Sequence, residues 1–151
     1  MNLKVVLLIG FFLSANLSVV GAEVVDRKLE ALLKQQVDIN EGAQIRQIMP
    51  GELDDGVAGV EKAVLWTVLG PTYWRNQLSI LANQHGQPTI LATIPVMGMT
   101  IGFGPLKPDG TLQVETKISG PNDPLCCPSQ AKMLCFRYRA GRLTAVMTHS
   151  E

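Results

Sequence analysis

The second half of this chain is a succession of short apolar-alternating runs separated by tight turns, and that spacing constrains the fold more than anything else in the sequence. Leu112, Val114, Thr116 and Ile118 alternate with Gln113, Glu115 and Lys117, the period-two pattern of a strand with one face buried. Pro108-Asp109-Gly110 before it and Ala140-Gly141 after the next run are turn chemistry. Parallel strands need crossovers of about a dozen residues or more, and connections this short leave no room for them. The strands are therefore expected to pair antiparallel.

The other runs follow the same logic. Ala63 to Leu69 is continuously apolar up to Gly70-Pro71 and reads as a fully buried strand. Gln77 to Ala82, Thr89 to Ile94, Met99 to Phe103, Leu134 to Tyr138 and Leu143 to Met147 read as further strands. Met99, Ile101 and Phe103 are expected to point inward together. Leu134, Phe136 and Tyr138 share one face, which places Cys135 on the other with Met133 and Arg137. Ala43 to Met49 fits either a strand or a second helix. At the N-terminal side, Asp26 can cap a helix running to about Gln36, with Val25, Leu29, Leu32 and Leu33 on one face to pack on a sheet. The fold class is α+β: a mainly antiparallel meander of six or seven strands with an N-terminal helix on part of one face. Its length suits one domain.

Residues 1–22 read as a signal peptide. Lys4 supplies a positive start, Val5 to Leu13 an apolar run, and Val20-Gly21-Ala22 a cleavage site before the charged Glu23. The β-rich domain then occupies residues 23–151, and the expected location is the periplasm or outside the cell. No later segment approaches the roughly 20 apolar residues of a membrane helix. The chain has 13 Lys plus Arg against 13 Asp plus Glu, and losing Lys4 moves that balance by a single charge, so no electrostatic case exists for nucleic acid or anionic membranes. Arg137, Arg139 and Arg142 read as the solvated face of a hairpin.

Export puts the three cysteines in an oxidising compartment. Cys126, Cys127 and Cys135 cannot all pair within one chain. A bridge from Cys135 to Cys126 or Cys127, with Cys127 favoured, would staple the proline-stiffened segment to the following strand for about 2–3 kcal/mol. A bond between the adjacent Cys126 and Cys127 is the alternative, at the cost of Cα atoms only about 3.8 Å apart.

The stretch Asp123-Pro124-Leu125-Cys126-Cys127-Pro128-Ser129-Gln130, followed by a strand and a Gly-Arg-Leu turn, resembles the C-terminal part of the LppP/LprE family of exported bacterial proteins. The resemblance implies a small exported domain without an assigned catalytic residue. The chain departs from that pattern in lacking a lipid-attachment cysteine at the end of the leader and in carrying Cys135.

Candidate chemistry is sparse. Cys126, Cys127, Cys135, Met97 and Met99 are soft sulfur donors that suit Cu(I), although Met97 and Met99 at strand spacing also read as core packing. His85 in a turn and His149 in the tail lack zinc-site spacing. Asp54-Asp55-Gly56 lacks the oxygen ligands of a calcium loop and reads as a turn. No nucleophile motif is present, no carboxylate pair stands out, and no motif calls for a cofactor. Trp66 lies in an apolar run and belongs in the core. Tyr73 and Trp74 follow Gly70-Pro71, where exposed aromatics can anchor a partner. The functional expectation is a non-catalytic domain that binds a protein or envelope component. The alternative is a periplasmic soft-metal or thiol-redox protein.

Overall fold

The computed structural model describes residues 27–51, 53, 61–124 and 126–147. The leader through Ala22, Val25, the Asp26 cap, the Asp54-Asp55-Gly56 turn and His149 lie outside the described residues. Within them, a short helix α1 (residues 27–34) is followed by eight strands: β1 (Gly42–Gly51), β2 (Glu61–Leu69), β3 (Trp74–Gln84), β4 (Gln87–Val96), β5 (Met99–Phe103), β6 (Thr111–Ile118), β7 (Gln130–Arg139) and β8 (Arg142–Val146). They form two four-stranded sheets, in the orders β1-β2-β3-β4 and β5-β6-β7-β8, and every pairing is antiparallel. The ambiguous segment Ala43 to Met49 is strand, which brings the count to eight. Sequential strands are neighbours throughout, so the meander simply breaks once, between β4 and β5, and folds back on itself.

Two cores result. Between the sheets, Ala63, Leu65, Leu78 and Ile80 meet Leu112, Val114, Phe136, Tyr138 and Leu143. On the opposite face of the first sheet, Val64, Trp66, Val68 and Leu81 pack against Leu29 and Leu33 of α1. The architecture is helix on sheet on sheet. β2 is thus covered on both faces, which is why its sequence shows no alternation. Trp66 satisfies its indole N–H inside this core by donating to Ser79 Oγ at 2.9 Å, and Ser79 Oγ lies 2.8 Å from Thr93 Oγ1.

Three bulges interrupt the ladders, and one overturns a sequence expectation. Thr100 pairs with Thr116 and Gly102 with Glu115, leaving Ile101 as an extra residue in β5. The parity of β5 therefore changes midway. Thr100 is buried and Phe103 packs on the inter-sheet core, whereas Met99 and Ile101 are exposed. Met99 and Ile101 do not share an inward face with Phe103, and neither Met97 nor Met99 is a core residue. At the seam between the sheets, the Phe103 N–H donates to Gln47 Oε1 at 2.9 Å. A Cβ on Gly102 would stand 2.7 Å from that same oxygen, so a side chain there would displace the Gln47 amide from its bond.

Leu33 is fully buried at the helix–sheet contact. Leu33→Ala is expected to lower the unfolding free energy by about 2–5 kcal/mol, as large-to-small core substitutions do. Urea denaturation measures it, and a loss below about 1 kcal/mol would mean that the helix contributes little as a third layer.

Candidate functional site

The end of the sandwich that carries the β2–β3 turn and the β4–β5 connection gathers most of the residues singled out from the sequence. A groove of about 290 Å³ opens there, lined by Gln44, Arg46, Thr67, Leu69, Trp74, Asn76, Met99, Thr100 and Cys126. Its apolar walls face solvent: Leu69 is 45%, Trp74 54% and Met99 38% exposed. Tyr73 and Met97 are exposed in the adjoining connections. Five of the large exposed hydrophobic side chains therefore belong to these two connections and the strand ends beside them.

The polar floor is internally satisfied. Thr67 and Asn76 are cross-strand partners, and the Thr67 hydroxyl donates to Asn76 Oδ1 at 2.8 Å. Asn76 Nδ2 then donates to the Gly98 carbonyl at 2.8 Å. Gly98 sits at φ +82°, and a Cβ there would lie 2.6 Å from the Lys117 carbonyl oxygen, so the β4–β5 connection requires glycine beside the groove.

Arg46 lies at a second bulge. Ile45 pairs with Trp66 and Gln47 with Leu65, and Arg46 between them has no partner in β2. Strict alternation would turn Arg46 and Gln47 to opposite faces. Arg46 stays on the groove side with Gln44, two residues before it, and the extra residue turns Gln47 to that side as well, where it bonds Phe103.

Tyr73 and Trp74, adjacent in sequence, have different tasks. The Tyr73 hydroxyl donates to Glu41 Oε1, and Arg75 Nη1 and Nη2 donate to Glu41 Oε1 and Oε2 at 2.5 and 3.0 Å. The Asp38 N–H adds a bond to Glu41 Oε2 at 3.0 Å, and the Lys34 ammonium donates to the Glu41 carbonyl. The Arg75 guanidinium lies 5.8 Å from the Tyr73 ring centroid. Glu41, almost fully buried, thereby ties the α1–β1 loop to the start of β3. Arg75 foremost, then Tyr73, holds the Glu41 carboxyl down to about 2. The same carboxylate pushes the Tyr73 phenol and the Arg75 guanidinium up. Tyr73 is thus half a structural residue, while Trp74 is the aromatic the groove presents.

The cysteines pair differently from the favoured expectation. Cys126 and Cys127 are joined to each other, with Cα atoms 3.8 Å apart, and Cys135 is a buried free thiol. The bridge to Cys135 fails for a geometric reason. β7 starts at Gln130 and runs extended, so five residues at about 3.3 Å each carry Cys135 roughly 16 Å along the strand. The Cys126 segment also lies at the groove rather than over the outer face that Cys135 shares. Asp123 pins the base of that loop: its carboxylate accepts the N–H groups of Gly120 and Ser129, both at 2.7 Å, and the Ser129 hydroxyl at 2.8 Å. These donors, Gly120 first, lower the Asp123 pKa.

Of the soft-donor set, the structure brings Met99 and Cys126 to one groove and leaves Cys135 elsewhere. Among the described residues, no group of three or more His, Cys, Asp or Glu is placed to hold a metal ion. His85 occupies the β3–β4 turn, as expected. Arg137 is bonded to Asp109 and Thr111 rather than freely solvated. Two buried carboxylates were not legible in the sequence: Glu41, and Glu61, which accepts the Leu53 N–H at 3.0 Å. Glu61 opens β2 and Glu41 precedes Gly42, the partner of Leu69 at the far end of β2. The two are separated by a strand length of about 27 Å and do not form an acid–base pair. Comparison with protein-family models, curated proteins and solved structures finds no match for this chain.

Two outcomes follow. Because its pKa is depressed, Glu41 contributes stability that is present above its ordinary value of 4.5 and is lost as pH falls toward about 2. Thermal melts of Glu41→Gln should lie below wild type at pH 7 and fall less steeply than wild type between these limits; parallel curves would dismiss the clamp. Iodoacetamide should label no cysteine in the native unreduced protein, one after denaturation and three after reduction. Recovery of a Cys135-containing disulfide peptide would contradict the observed pairing.

Proposed function

We propose that this chain is an exported, non-catalytic binding domain that engages an envelope protein or other envelope component through the groove-bearing end of its sandwich. The observation that carries this reading is the groove itself, with Leu69, Trp74 and Met99 held open to solvent on strand ends whose neighbours are rigidly bonded. Exposed aromatic and methionine side chains around a concave surface are the usual anchors of a binding site. The Asp123 to Gln130 segment, on which the LppP/LprE resemblance rests, contributes Cys126 to the same end, so membership in such an exported family fits this reading. Export to the periplasm or beyond belongs to the proposal and follows from the leader-like residues 1–22. Among the described residues, no helix is long and apolar enough to cross a membrane.

A photoreactive residue at position 97, on the rim, tests the reading in the native host envelope. Cross-linking to one defined partner is expected from position 97 and not from position 39, which is exposed in the α1–β1 loop. Trp74→Ala should reduce the cross-linked fraction at least fivefold. Equal labelling from both positions, or no effect of Trp74→Ala, would reject this surface.

One observation favours a second reading: Cys126 and Met99 line a common groove. After reduction, Cys126 and Cys127 would present two thiols beside a thioether, a donor set suited to Cu(I). Stoichiometric Cu(I) retained by the reduced protein against a bathocuproine competitor, and released by Cys126→Ser or Met99→Leu, would shift the function to soft-metal handling. Retention unchanged in both variants would remove the groove from that role.

A further inference from the structure

We infer that the groove takes a small amphipathic carboxylate, with an apolar tail against Leu69, Trp74 and Met99 and its head paired with Arg46. The inference rests on the reading of the groove as the binding surface and specifies what it binds. Arg46 is the one charged side chain among the described residues that line the groove. No ion pair or hydrogen bond among the described residues engages its guanidinium. Arg75, a second guanidinium at this end, is already committed to Glu41.

The remaining polar lining sharpens the choice. The Thr67 hydroxyl donates to Asn76 Oδ1, and the Asn76 amide donates to the Gly98 carbonyl. The charged donor on the groove is the planar fork of Arg46, and the amide of Gln44, the register partner of Thr67, stands two residues before it in β1. A guanidinium fork with an amide beside it matches the two oxygens of a carboxylate, and an ammonium or a neutral alcohol would gain much less there. Among the described residues, no acidic side chain lines the groove to repel such a head. The volume of about 290 Å³ falls at the small end of ligand sites, which favours a single acyl-like tail over a large ring system. Arg46 keeps the parity of Gln44 in β1, so ordinary alternation sets the cation and the amide on the groove side together.

Isothermal titration of the full chain with dodecanoate, below its aggregation threshold, tests the inference, with dodecyltrimethylammonium as the matched cation. Saturable one-to-one binding of dodecanoate is expected, with the cationic analogue at least tenfold weaker. Arg46→Gln and Trp74→Ala should each weaken dodecanoate at least tenfold, and Arg46→Lys should retain more affinity than Arg46→Gln. Arg46 is exposed and unpaired in its ladder, so far-UV circular dichroism should show the variants folded. Equal affinity for both amphiphiles, or no effect of Arg46→Gln, would overturn the carboxylate pairing. Dodecanoate binding that ignores Trp74→Ala would place the ligand elsewhere and overturn the site. If dodecanoate fails to bind while position 97 still cross-links its partner, this inference falls and the binding function stands; if both fail, both fall.

Discussion

The double-sided burial of the first sheet is the constraint on which the rest of this molecule depends. β2 lies between the inter-sheet core and the layer under α1, and its side chains from Ala63 to Val68 are buried whichever way they point. A strand covered on both faces cannot slip by one residue without moving Trp66 and its indole N–H away from Ser79. Fixing β2 fixes β1 and β3 on either side, and their ends build the groove. The site is thus a consequence of register rather than of any local motif.

Alternation alone does not describe the edge strands. The bulge at Ile101 separates the exposed Met99 and Ile101 from the inward Phe103, and the bulge at Arg46 turns Gln47 to the side of Gln44 and Arg46. Each bulge breaks the period-two correspondence between sequence and face, and each lies on an edge strand of its sheet, where the lost ladder bonds cost least. The seam between these two edges is closed by Gln47. Edge irregularity therefore does two things here: it aims Gln47 across the seam and it brings Phe103 onto the core.

What was legible in the sequence and what was not divide along the same line. The alternating run Leu112 to Ile118, the apolar run Ala63 to Leu69 and the leucine stripe of α1 could be read because burial acts on many residues with one period. Trp74 could be read as an exposed aromatic because it follows Gly70-Pro71, though it begins β3 instead of lying in the loop. The Glu41–Tyr73–Arg75 clamp could not be read, since its members are 32 and 34 positions apart and only the folded sheet brings them together. Arg46 shares its parity with Gln44, but only the folded sheets show that their side opens into a groove. The cysteine pairing was not legible because it depends on where β7 begins: with the strand extended from Gln130, Cys135 stands too far along it for the Cys126-Cys127 segment to reach.

Tyr73 and Trp74 show how the two kinds of information meet. Both stand at the entry to β3, where successive side chains diverge. Tyr73 goes to the side of the α1–β1 loop, and its hydroxyl completes the environment of a buried carboxylate. Trp74, the register partner of Leu69, shares that residue's face and so reaches the groove. Arg75 then turns back to Glu41 and closes the clamp. Three consecutive residues therefore anchor, present and anchor again. An exposed indole held between two anchored neighbours is pre-ordered, so a ligand that stacks on it has little backbone freedom left to freeze. That arrangement makes the Trp74 wall of the groove a rigid surface, even though it lies at the mouth of a turn.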